Sequence, residues 1–182
     1  EPLMRKVAEI VKRLVDYQVF SLVLWDEERR VLEQAFSLKC DQRFLAKSDI
    51  PLGYGITGTA AAMRQPLRVP NVHIDPRYVR CGHEVEVRSE LAVPLVFEDR
   101  LIGVVDMEST EYNAFSEQHE QMLATMASYL AIAIENARLY KRVSRDEQRL
   151  ADDLATAREI QKGLLPDAAP KVRGLEVAFA YE

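Results

Sequence analysis

Between Ser116 and Gly163 the chain carries neither proline nor glycine, and this uninterrupted stretch constrains the fold more than any other feature. It reads as one very long helix or two nearly continuous ones. Along it Met122, Met126, Tyr129, Ala133, Asn136, Tyr140, Val143, Glu147, Leu150, Leu154, Ala157, Gln161 and Leu164 alternate steps of four and three, the heptad seam that keeps one stripe facing a partner helix. A second stripe of Leu123, Ala127, Leu130, Ile134 and Ala137 lies beside it and suits packing on a sheet. At ~1.5 Å per residue, residues 118–164 would span about 70 Å, far beyond one small domain. The pattern predicts a parallel homodimer through the long C-terminal helix, weakest across Ser144 to Arg149, where Glu147 falls on the seam.

Ahead of this stretch the periodicities are shorter. Leu3, Val7, Ile10, Val11 and Leu14 recur at helical spacing, so residues 2–16 read as an amphipathic helix. Val19 to Trp25 and Val31 to Leu38 read as two strands around the polar turn 26–30. Gly53-Tyr54-Gly55-Ile56-Thr57-Gly58 leads into the small-residue run Thr59 to Met63, a tight loop entering a closely packed helix. Leu67 to Pro70 is a strand stub, and residues 71–88 read as loop. Ser89 to Phe97 and Leu101 to Glu108 form the strongest hairpin, with Pro94 placed at an edge or bulge. The order of helix, two strands, loop-helix, strand, two strands and helix suits an α+β fold, an antiparallel sheet flanked by helices with a long C-terminal coiled-coil helix.

Composition excludes several classes. With 24 Lys and Arg against 29 Asp and Glu among 182 residues, the formal charge is −5, which argues against nucleic acid as a partner. No apolar run approaches the ~18 residues that cross a membrane. Two cysteines, Cys40 and Cys81, are too few for a disulfide scaffold and fit a reducing cytoplasm. The chain opens on Glu1-Pro2, without an initiator Met or a signal pattern, and so reads as a stretch of a longer protein. No Gly-x-Ser-x-Gly elbow, His-Glu-x-x-His pair or Walker loop is present, so the chain itself is not expected to be an enzyme. His73, Cys81 and His83 have metal-ligand chemistry, yet a fourth ligand is not evident, and they read as ordinary loop residues.

The runs GYGITGTAAAMRQPLRVPNVHIDPRY, SELAVPLVFEDRLIGVVDMES and FSEQHEQML resemble, in order and spacing, the signature stretches of GAF domains. The resemblance covers about residues 3–140. It implies an antiparallel sheet flanked by helices, often holding an unknown small-molecule ligand, in other cases only dimerising. A ligand pocket is then implied at Phe36, Ile56, Thr57, Tyr78 and Asp106. Cyclic-nucleotide-binding members carry an Asn-Lys-Phe-Asp-Glu constellation. Here Glu108, Ser109, Phe115, His119 and Glu120 stand at those places, which removes the Lys–Asp ion pair and argues against cyclic nucleotides.

The tail, Ala157 to Pro166 (AREIQKGLLP) followed by GLEVAFAYE, is similar to the entry into bacterial serine phosphatases of the PPM superfamily. This resemblance implies three parts: a GAF sensor at 1–140, a coiled-coil linker at 141–163 and a truncated phosphatase start at 164–182. It implies a regulatory and dimerisation module of a protein-serine/threonine phosphatase in bacterial signalling, with no cofactor in this stretch and Mn or Mg in the missing phosphatase domain. The alternatives left open are a GAF dimerisation module that binds no ligand and a GAF sensor of another output enzyme.

Overall fold

The computed structural model describes residues 2–40, 42–43, 49–80, 85–164 and 174. The chain forms two compact units, Glu1–Asn136 and Ala137–Glu182. Cys81, His83 and, within 164–182, all residues but Leu164 and Gly174 lie outside the described residues.

In the first unit the helix α1 (Pro2–Leu14) precedes the hairpin of β1 (Val19–Asp26) and β2 (Val31–Lys39). Two-residue strands β3 (Gln42–Arg43) and β4 (Ile50–Pro51) follow, then helix α2 (Gly55–Met63), the stub β5 (Leu67–Val69) and a single 3₁₀ turn at Val72–Ile74. The hairpin of β6 (Ser89–Phe97) and β7 (Arg100–Ser109) leads into helix α3, Glu117–Leu164. The sheet order is β3-β2-β1-β7-β6-β5, with β4 pairing β2 beside that path, and every pair is antiparallel. The expected α+β fold is what forms.

Local chemistry explains the elements. The Asp26 carboxylate accepts the backbone N–H groups of Glu28 and Arg29, both at 2.9 Å, which closes the first hairpin. Glu98 and Asp99 both adopt positive φ, 46° and 62°, as the two-residue turn of a tight hairpin requires. Pro94 pairs only with Val104, because β5 reaches no farther along β6 than Ala92. Its missing N–H therefore costs no ladder bond on the β5 side. At Gly103 a Cβ would stand 2.2 Å from the Val23 carbonyl, so only glycine lets β7 approach β1 this closely.

Strand alternation divides the apolar residues between two layers. One layer packs Phe20, Leu22, Phe36, Leu91, Val93, Val105 and Met107 against α1 and the start of α3. The other packs Val23, Leu32, Ala92, Leu101 and Val104 under α2. α1 differs from its sequence reading in detail: Ala8, Val11 and Val15 are buried, while Ile10 and Leu14 are about half exposed. In α3 the buried apolar residues are Leu123, Ala127, Leu130, Ala131 and Ile134, so the second stripe covers the sheet as far as Ile134, while Ala137 is exposed. Each large side chain buried this way contributes roughly 1.5–3 kcal/mol.

The second unit is helical through Leu164, and Leu139, Tyr140, Val143, Leu150, Leu154 and Ile160 are exposed. No described helix is long and apolar enough to cross a membrane.

Candidate functional site

The α2 side of the sheet is apolar at one end and polar at the other. Val23, Ala92 and Val104 lie under Ile56, Ala60 and Ala61 of α2. Two residues farther along the same strands, the same face presents Ser21 on β1, Glu90 on β6 and Asp106 on β7, and Glu108 follows on β7. Glu90 stands opposite Glu108, and Asp106 stands between Ser21 and Ala92. The three carboxylate residues are 4%, 6% and 6% exposed. Cross-strand neighbours of this kind have Cβ atoms about 5 Å apart, so three acidic side chains floor one small area.

Polar neighbours surround that floor. The Ser37 hydroxyl, fully buried, donates to Ser21 Oγ at 2.9 Å, and Gln34 Nε2 donates to Ser37. From α2 the Thr57 hydroxyl reaches Glu90 Oε1 at 3.4 Å. Gly55, at φ +70°, sets the start of α2 and lies beside Val79, where a Cβ would meet Val79 Cγ2 at 3.9 Å. Tyr78 packs against the α2-side core, with its ring edge-on to His73 at 6.3 Å.

The loop before β6 holds Asp75 and Arg77 in an ion pair. Arg77 donates through Nε to Asp75 Oδ1 at 2.8 Å and through Nη2 to Asp75 Oδ2 at 2.6 Å. Its backbone N–H also donates to Asp75 Oδ1. The Arg77 side-chain bonds hold the Asp75 carboxyl below its ordinary range, outweighing burial, and its backbone N–H and charge act the same way. The guanidinium is raised in turn, first by the Asp75 side-chain bond, against desolvation, with the charges of Asp75 and Glu90 adding to the effect.

Of the five sequence-predicted residues, the structure brings four to this side. Ile56 is buried in the α2-side core, Thr57 touches Glu90, Tyr78 lines the same core and Asp106 belongs to the acidic floor. Phe36 does not join them. It is buried in the opposite layer, edge-on to Phe20 at 6.5 Å, because alternation along β2 turns Ser37 rather than Phe36 toward α2. Sequence reasoning missed Glu90, Glu108, Ser21 and Ser37. Their signal was present in acids two residues apart within otherwise apolar strands, as in Asp106-Met107-Glu108.

A concavity of about 340 Å³ lies on the other side of the sheet, between α1 and α3, with Val11, Phe20, Leu123, Met126 and Leu130 in its wall. Its lining is apolar throughout, whereas a specific small-molecule site needs converging polar groups. Among the described residues, no group of three or more His, Cys, Asp or Glu is arranged to hold a metal ion.

Comparison with known proteins agrees with the fold. The family model described as GAF domain matches residues 1–135. A free methionine-R-sulfoxide reductase of Escherichia coli (strain K12) is 31% identical over 123 residues, 68% of this chain and 70% of that protein. The X-ray structure of free methionine-R-sulfoxide reductase from Neisseria meningitidis in complex with its substrate superposes with a TM-score of 0.66 at 29% identity, over 75% of this chain and 78% of that one. The GAF domain of a Coxiella burnetii phosphoenolpyruvate-protein phosphotransferase shares the fold, at 22% identity and a TM-score of 0.66 over 74% of this chain and 81% of that one.

These relatives correct one expectation. The chain was read as no enzyme for want of hydrolase and nucleotide motifs, yet proteins similar to it over most of their length are reductases. A reductase need carry none of the hydrolase and nucleotide motifs sought. With a family model matched across its whole first unit and the expected sheet and helices in place, the chain belongs to the GAF domain family.

Proposed function

We propose that this GAF domain binds a free amino acid and reduces methionine sulfoxide, the activity for which its relatives are named. The observation that carries the reading is the buried floor of Glu90, Asp106 and Glu108. A free amino acid brings an ammonium group to such a floor, where charge-assisted hydrogen bonds are strong. The same residue inside a peptide has no ammonium to offer, so the floor explains a preference for the free form.

Cys81 supplies the thiol. Both described flanks of residues 81–84 pack on this side of the sheet, Tyr78 before and Val85 and Val87 after. Sulfoxide oxygen passes to the Cys81 sulfur as its S–O bond to the substrate breaks, which leaves methionine and a sulfenic acid. A second thiol then attacks the sulfenic acid, forms a disulfide and releases water; an external thiol reductant restores Cys81. The test is consumption of free L-methionine-R-sulfoxide by the reduced protein with dithiothreitol. Turnover abolished by Cys81→Ser is the expected result, and no thiol-dependent turnover by the unmutated protein refutes the reading.

A second reading concerns the other unit, and the exposed apolar residues of its helix favour it. As the seam of a cytoplasmic homodimer, the helix would carry a signal from the GAF domain to an output of the serine phosphatase kind. The AREIQKGLLP run supports that output, and a dimer mass in solution tests the pairing.

A further inference from the structure

Between Glu120 and Glu135 helix α3 carries no charged residue. It is nonetheless a surface element there, since Thr125, Ser128, Tyr129, Ile132 and Ala133 are exposed. A surface helix ordinarily turns charged residues to water on the side away from the core. Here that side offers only small, apolar or hydroxyl-bearing groups, with Tyr129 72% exposed. Beside it runs the apolar groove described above, walled by Val7 and Val11 of α1 and by Met126, Tyr129 and Ala133 of α3. α1 extends the apolar surface outward from its own wall. At about 100° per residue, Leu14 lies about 20° and Ile10 about 60° around the helix from Val7. Both lie on the side away from the buried Ala8, and both are about half exposed.

We propose that this groove is an interface between two copies of the chain, in which α3 of each copy lies in the α1–α3 groove of the other with Tyr129 projecting into it. The proposal rests on the reading of α3 as a dimer seam and deepens it, because it brings α1 into the interface. Three observations select a second copy as the occupant. A groove between two helices is concave and receives a convex helix, whereas a flat bilayer would take a helix lying on its surface. The lining carries no charged group, so it offers an acidic or basic partner nothing to pair with. The fitting occupant is a helix free of charge over about four turns, and α3 is itself such a helix between Glu120 and Glu135. Finally, Met122, Met126, Tyr129 and Ala133 open the same four-three pattern that runs on to Tyr140 and Val143, so groove wall and seam are one stripe of one helix. A surface that supplies both the projecting helix and the groove closes on itself about a two-fold axis. The composition agrees, since interface cores are poor in charge and rich in Met and Tyr.

Hydroxyl-radical footprinting of the unmutated full chain, with its mass read by light scattering, is the first test. In a single chain Tyr129 is more exposed than Tyr112, 72% against 51%, and Leu14 more than Leu52, 54% against 40%. A lone chain therefore oxidises Tyr129 faster than Tyr112 and Leu14 faster than Leu52. The proposed dimer reverses both orders, because the partner excludes water from Tyr129 and Leu14. The second test is Ile10→Ser with Leu14→Ser, two exposed positions whose change leaves the core of the chain intact. It should raise the dimer dissociation constant about tenfold or more through lost apolar burial. Leu14 reacting faster than Leu52 in a protein of dimer mass, or a dissociation constant unmoved by the two serines, overturns the groove and leaves the seam standing. A monomer mass with both tyrosines and both leucines in their single-chain order overturns groove and seam together. Slow Tyr129 and Leu14 in a protein of monomer mass overturns the second copy as occupant and points to a bound apolar molecule.

Discussion

Glu90 and Glu108 face each other across the β6–β7 ladder, both buried and both on the α2 side of the sheet. Like charges directly opposite in a sheet are destabilising, and burying charge adds to the cost. A fold selected for stability alone would place an apolar pair there, as Val93 and Val105 are placed one layer over. Glu108→Gln should therefore raise the unfolding free energy of ligand-free protein by up to about 1 kcal/mol, and it should weaken free L-methionine sulfoxide at least about tenfold. Thermal melts and calorimetry on the same variant check both; a variant that loses stability and keeps its affinity contradicts the assignment.

Phe36 separates fold from site. It is fully buried against Phe20 in the layer under α1 and α3. Phe36→Ala should cost about 3–5 kcal/mol of stability through lost burial and the cavity left behind. Folded variant should still bind L-methionine sulfoxide within about twofold, because the sheet stands between Phe36 and the acidic floor. A large affinity loss in protein shown to be folded would return Phe36 to the pocket.

That contrast also shows what was legible in the sequence. Hairpins, helices and fold class follow from periodicity, because one buried face per element leaves a repeating apolar signal. Which side of the sheet a residue occupies does not follow so simply. A register shift between Leu22 and Val23 breaks the even alternation that would connect Phe36 to its neighbours. The acids were visible as charges inside apolar strands, but their convergence is a tertiary fact, made by pairing β6 with β7 and β7 with β1. The Asp75–Arg77 bond is local in sequence, whereas the Val72–Arg88 backbone bond that ties the start of the same loop to the residue before β6 is a tertiary contact.

The Asp75–Arg77 pair gives a pH signature of definite sign. The folded carboxyl is held below its ordinary value of 3.8, first by the Arg77 side-chain bonds. A depressed folded pKa contributes stability that is fully present above the ordinary value and lost as pH falls through the folded one. Arg77 is 38% exposed, so screening by solvent keeps the contribution near about 1 kcal/mol. Urea unfolding of wild type and Asp75→Asn should differ by a constant amount from pH 7 to pH 5, and the difference should shrink below pH 3.8. A difference that grows on acidification would contradict the pairing.

The second unit supplies the last prediction. Tyr140, Val143, Leu150 and Leu154 are all at least half exposed, and they occupy seam positions of the four-three pattern, with Glu147 between Val143 and Leu150. Scattered surface leucines need no explanation, but an apolar stripe at heptad spacing on an exposed helix is what a partner helix covers. The occupant best matched to a heptad seam is the same seam on a second copy, since each apolar knob then meets holes of its own kind. Light scattering at micromolar concentration should give twice the chain mass of 20.8 kDa. Leu150→Asp with Leu154→Asp should shift that mass toward the monomer, because two like charges per chain would meet their counterparts in the core of the pair. The same double variant should leave L-methionine sulfoxide binding within about twofold, since residues 137–182 form a unit separate from the acidic floor. A monomer mass for the unmutated protein, or a dimer unmoved by the two aspartates, would show that the seam has another purpose.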